Sequence, residues 1–100
     1  MEKKYEITDE THPKFNWCHR IRALRDIPEI GVKAGDLGGF VESEKNLSQE
    51  GNCWIFDEAI AMDNSRVLEN AQLVGSSMMC WNSLIDGNAK IQRGDNSQMG

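Results

Sequence analysis

The sequence predicts an all-β fold: a short left-handed parallel β-helix built on a hexapeptide repeat, with an N-terminal β-hairpin cap. Three observations predict it. Residues 51–92 divide without a gap into seven six-residue units: GNCWIF, DEAIAM, DNSRVL, ENAQLV, GSSMMC, WNSLID and GNAKIQ. The third position of each unit is small (Cys53, Ala59, Ser65, Ala71, Ser77, Ser83, Ala89), and the fifth is apolar (Ile55, Ala61, Val67, Leu73, Met79, Ile85, Ile91). The second is Asn in five of the seven units. Seven small residues in a row would arise by chance about once in 10⁵ trials, and an amphipathic helix would repeat every ~3.6 residues instead.

Physical chemistry assigns the columns. Positions four to six make a short strand whose middle side chain points inward and whose neighbours point outward, because side chains alternate along a strand. Positions one to three turn the corner, and Asn and Gly suit the left-handed backbone that a tight corner demands. Three units complete one rung, so residues 18 apart should stack: Asn52 with Asn70 and Asn88, Ile55 with Leu73 and Ile91, Val67 with Ile85. A stack this short has strand edges at both ends that need covering.

The first half reads as the cap. Residues 3–8 and 18–26 have strand character and are separated by a polar loop containing Pro13, which predicts a long-looped hairpin. Pro28, Gly31, Gly35, Gly38 and Gly39 mark turns. Val41 and Leu47, six apart, could begin the coil early, but eight residues separate Leu47 from Ile55 and break the register. The expected organisation is therefore a hairpin and cap over 1–50 and the repeat over 51–100, in one compact domain. The stretches Arg20–Asp26, Val32–Val41 and Asn46–Ile55 resemble the opening of the YdcK-like hexapeptide-repeat β-helix proteins of enterobacteria and their prophages, the likeness running over roughly residues 3–92. That resemblance implies a left-handed β-helix of phage or bacterial origin, in a family that carries a transferase label without an established substrate. Members usually continue for many more coils.

Composition narrows the function classes. Residues 1–35 carry a net charge of +1 and residues 36–100 a net charge of −6, so the acidic body argues against direct nucleic-acid binding. Cys18, Cys53 and Cys80 form no CxxC pair, which predicts reduced thiols and no structural zinc. No apolar run reaches the ~20 residues of a membrane span, and a cytoplasmic location in a bacterial host is expected. Gly35-Asp36-Leu37-Gly38-Gly39 lacks the Lys-Ser/Thr of a phosphate loop, and Arg93-Gly94-Asp95 is read as a chance tripeptide.

Hexapeptide β-helices are often acyltransferases, typically trimers with a coil-borne His as general base between subunits. Here His12 and His19 both precede the repeat, and no loop interrupts residues 51–92, so a non-enzymatic protein with no cofactor is expected. Asp57, Asp63 and Glu69 fall at different corners, which argues against a metal site. With Glu42, Glu44, Glu50 and Glu58, Asp57 and Asp63 make a dense acidic surface, either simply solvated or a mimic of nucleic acid. Ile60, Met62, Met78 and Cys80 are expected to point outward on one face, and Trp54 and Phe56 on the next. Such a patch needs a cover: the hairpin, a second copy or a partner. The sequence-level expectation is a phage- or prophage-type protein-binding module, homodimeric through that patch. A specific version is an inhibitor of a host nucleic-acid-handling defence system, of anti-CRISPR or anti-restriction type. The alternatives are a degenerate acyltransferase and a purely structural self-assembling β-helix.

Overall fold

A computed structural model describes residues 3–93, and these are all-β. The strands are β1 (Tyr5–Thr11), β2 (His19–Ala23), β3 (Leu37–Val41), β4 (Trp54–Ile55), β5 (Ile60–Ala61), β6 (Arg66–Val67), β7 (Gln72–Gly75), β8 (Met78–Met79), β9 (Leu84–Ile85) and β10 (Lys90–Arg93). Two single 3-10 turns, Pro28–Ile30 and Glu44–Asn46, are the only helical geometry among the described residues.

From β3 onward every pairing is parallel. Ile55 lies opposite Leu73 and Leu73 opposite Ile91, Ile60 opposite Met78, and Val67 opposite Ile85, so the 18-residue register holds in three separate sheets. Parallel stacking also extends N-terminal to residue 51: Phe40 pairs with Ile60, and Leu47 bridges to Val67. Both of those spacings are two residues longer than the later ones. The eight-residue interval from Leu47 to Ile55 is therefore absorbed at one corner, and a longer first rung results.

The hairpin forms as expected, with Tyr5 opposite Ala23 and Thr11 opposite His19. It then joins the stack edge-on. β2 pairs antiparallel with β3, giving one sheet in the order β1-β2-β3-β5-β8. Gly38 and Gly39, expected as turn residues, lie inside β3. A Cβ on Gly38 would strike the Ile55 carbonyl and the Ile21 side chain, and one on Gly39 would strike the Ala59 carbonyl and the Ile55 side chain. Only a bare backbone lets the first rung approach the inward columns this closely. Gly31 and Gly35 do occupy turns, with φ of 75° and 95°.

The corners have one rule. The first residue of all seven units has positive φ: Gly51, Asp57, Asp63, Glu69, Gly75, Trp81 and Gly87, between 58° and 73°. In six of the corners the third residue's N–H donates to the carbonyl three residues back, as from Ala59 to Phe56 and from Ala89 to Asp86. Positive φ at the second turn residue alone is the geometry of a type II′ turn. The second-position Asn residues are thus not the left-handed ones, as expected from their abundance; that conformation belongs to the position before them.

Burial follows the columns and then fades. Cys53, Ala59, Ser65, Ala71, Ile55, Ala61, Val67 and Leu73 are all fully buried. Buried Ser65 and Ser77 are tolerated because each hydroxyl donates to a carbonyl three residues back, those of Met62 and Val74, both at 2.7 Å. On the last rung Ile85 is half-buried and Ile91 is 37% exposed.

Candidate functional site

The face expected to be bare is largely covered by the chain itself. Trp54 is 1% exposed, Ile60 5% and Met62 6%. Ile60 and Met62 pack with Cys18 and Phe40, with Phe15 and Cys80 at the margin. Trp54 belongs to the main core, edge-on to Tyr5 at 6.3 Å between ring centroids, and Phe56 packs partly buried against it. The outward expectation fails for Trp54, Ile60 and Met62 because β1, and the segment leading from it into β2, lie over the outer surface of the first rungs. Met78 and parts of Phe56 and Cys80 remain open. Of the covers considered for this patch, the N-terminal segment occupies the place expected for a second copy.

The same segment closes the lower end of the stack with polar side chains that sequence inspection did not single out. Lys4 is fully buried, and its ammonium donates to the carbonyls of Cys53 (2.7 Å) and Gly51 (3.3 Å) and to Cys53 Sγ (3.2 Å). Burial lowers the Lys4 pKa, and the neighbouring Cys53 opposes that shift. The Tyr5 hydroxyl donates to the Leu47 carbonyl at 2.6 Å, and burial, then Glu44 and Cys53, pushes its ionisation up. Buried Asn46 donates to the carbonyls of Asp63 and Ser65, and Arg20 to that of Gly38. These donors stand where a further rung would otherwise supply N–H groups.

The acidic residues prove to be structural in large part. Asp57 accepts from the Gly75 N–H (3.3 Å), Asp63 from the Trp81 N–H (2.9 Å) and Glu69 from the Gly87 N–H (2.6 Å), each 18 residues further on. Glu42 accepts from the Asp63 N–H in the same manner. Each such carboxylate caps the corner of the rung above it. Glu58 pairs with Arg20, which also holds Glu10, and Glu44 bonds Gln49 and Lys3, which holds its carboxyl below the ordinary range. Glu50 is exposed, and its backbone N–H donates to the Ser48 hydroxyl oxygen. Among the described residues no cluster of His, Cys, Asp or Glu could hold a metal ion.

The histidines are engaged with the backbone. His12 Nδ1 accepts from the N–H groups of Lys14 and Phe15, and His19 Nδ1 lies 3.0 Å from the Thr8 carbonyl oxygen. All three thiols are free, and burial, aided by Glu42 and Asp63, pushes that of Cys18 up to about 11. A polar cleft on the hairpin is lined by Glu6, Ile7, Thr8, Asp9 and Arg22. No helix among the described residues is long and apolar enough to cross a membrane. Gly94 and Asp95 of the Arg-Gly-Asp tripeptide lie outside the described residues.

No family model matches the chain. Over 98 residues, 97% of its length, it is 37% identical to a protein of Escherichia coli (strain K12) named as the uncharacterized acetyltransferase YdcK. The chain spans 29% of that relative's length. The sequence is thus YdcK-like. The expectation of a non-enzymatic protein is corrected by the same finding, since the relative is named for an enzymatic activity. Placing the histidines ahead of the repeat could not exclude such a relationship, because the chain spans only part of that relative.

Proposed function

We propose that the chain is an acetyltransferase-type left-handed β-helix in which residues 3–93 supply the capped end and first rungs. The observation that carries this is the 37% identity to a named acetyltransferase along 97% of the chain. The 18-residue parallel register and the left-handed first residue of every unit support the helix itself. In acetyl transfer an amine or hydroxyl attacks the carbonyl of a thioester. Its proton goes to a base, and the thiolate leaves and takes up a proton. A base must reach the acceptor, and donors must meet the oxyanion. His12 and His19 are turned into the cap, so we place the reaction between copies of the chain, beside the rung faces that the cap leaves open. An acidic inhibitor draws less support, because Glu42, Asp57, Glu58 and Asp63 are engaged in the fold.

Calorimetric titration with acetyl-coenzyme A, alongside light scattering, tests this. Saturable binding by an oligomer is expected. An oligomer or monomer with intact β circular dichroism and no heat of binding would overturn the proposal.

A further inference from the structure

We infer that residues 12–17 are a protonation-sensitive flap over the covered apolar strip, with His12 as its latch. The segment closes on itself. The His12 N–H donates to the Cys18 carbonyl at 3.0 Å, and the Cys18 N–H to the Phe15 carbonyl at 2.8 Å. Its centre is His12 Nδ1, which accepts two backbone donors, Lys14 at 3.0 Å and Phe15 at 3.3 Å. The imidazole stands edge-on to Phe40 (4.9 Å, 80°) and tilted against Phe15 (5.2 Å). Beneath lie Cys18, Phe40, Ile60 and Met62, all buried, while Trp17 packs on Phe15 from outside and is 48% exposed.

A nitrogen that accepts two N–H groups cannot also carry a proton. In the imidazolium form both ring nitrogens are donors, so three N–H groups would meet at one point. Taking up that second proton therefore breaks both bonds at Nδ1. The charged groups around the flap do not relieve the conflict. Arg20 places its guanidinium 4.4 Å above the Phe40 ring that His12 also touches, and it is tied to Glu10 and Glu58. Glu42 and Asp63 face Cys18, but they are spent on the Asp63 and Trp81 N–H groups. Lys14 adds a further cation on the flap itself. Protonation therefore favours the open flap. Local opening of a short surface segment costs far less than global unfolding, so the stack remains folded beneath it.

The thiols report this directly. Cys18 is sealed under the flap, Cys80 is half-buried at its margin, and Cys53 is sealed in the main core. A dipyridyl disulfide, which labels thiols in mild acid, is applied at about pH 8 and about pH 5, and labelling is read at each cysteine by mass spectrometry. The Cys18-to-Cys80 ratio should rise about tenfold on acidification while Cys53 stays unlabelled. His12→Asn keeps a side-chain oxygen able to accept the same N–H groups but does not titrate, so its ratio should stay low at both pH values. His12→Ala should give a high ratio at both. A flat wild-type ratio, an equal rise in His12→Asn, or Cys53 labelling in step with Cys18 would each overturn the latch.

Discussion

The first and last described rungs are built from the same repeat and are covered differently. At the lower end Leu47, Ile55 and Val67 are fully buried, and Lys4, Tyr5, Arg20 and Asn46 satisfy its carbonyls. On the last rung the same columns open: Ile85 is half-buried and Ile91 is 37% exposed, and beside them Leu84 is 51% and Trp81 77% exposed. Among the described residues nothing lies above them. A hexapeptide unit therefore fixes which way a side chain points and how its corner turns. It does not fix burial, which each rung receives from the rung or cap beside it. Stability in such a stack is a nearest-neighbour property.

The largest test of this difference exchanges one column residue at each end. Val67→Asp buries a charge with no partner and should cost several kcal/mol or more, abolishing the cooperative thermal transition. Ile91→Asp should cost under about 1 kcal/mol, as a rung-edge substitution with solvent access. Equal losses at both sites would mean that the upper rung is as dry as the lower. Gly39→Ala comes next, at about 3 kcal/mol in a urea titration, because its methyl meets the Ala59 carbonyl, which cannot yield, as well as the Ile55 side chain. Lys4→Met keeps the stem's bulk but removes the ammonium from the Gly51 and Cys53 carbonyls. It should cost about 1–3 kcal/mol, and a neutral result would show that water serves as well.

Much of the stack was legible in the sequence because its columns are periodic. Small third positions, apolar fifth positions and the 18-residue register each correspond to a pairing or a burial seen in the structure. The cap was legible only as a hairpin. Its role depends on single residues reaching across 40 or more positions, as Lys4 does to Cys53 and Tyr5 to Leu47, and no local pattern marks them. Ile60 and Met62 were expected to be bare because they flank the core column, yet alternation along a strand says nothing about what covers its outer face. The carboxylates hold a second role that was hidden for a related reason. Asp57, Asp63 and Glu69 look like surface charge in one dimension, whereas the 18-residue stacking turns each into an acceptor for the corner above.

Trp81 sharpens the comparison from the upper end. It holds φ at 61° with a bulky side chain 77% exposed, in a column otherwise filled by Gly, Asp and Glu. The left-handed conformation costs an ordinary side chain about 1 kcal/mol, and this one recovers little by burial. Trp81→Asn should therefore raise the unfolding free energy by up to about 1 kcal/mol. A loss instead would show that the indole is held against a surface in the assembled protein.

A last test is a pH dependence on the covered face. The Cys18 thiol sits at about 11 in the folded chain, raised first by burial and then by Glu42 and Asp63, against an ordinary value of 9.0. A group whose folded value is raised holds its proton in the native state where the unfolded chain has already released it. Its contribution is complete below about pH 9 and is lost as the pH rises from there to about 11. Stability should fall across that window, measured as the urea midpoint at constant ionic strength. Tyr5, whose ionisation is also pushed up, adds to the fall at the alkaline end. Cys18→Ala removes one of the two contributions, so its midpoint should decline less steeply between about pH 9 and 10 than that of the native sequence. Parallel slopes would mean that the thiol is already wet in the folded state, and that the flap over it is open at alkaline pH as well.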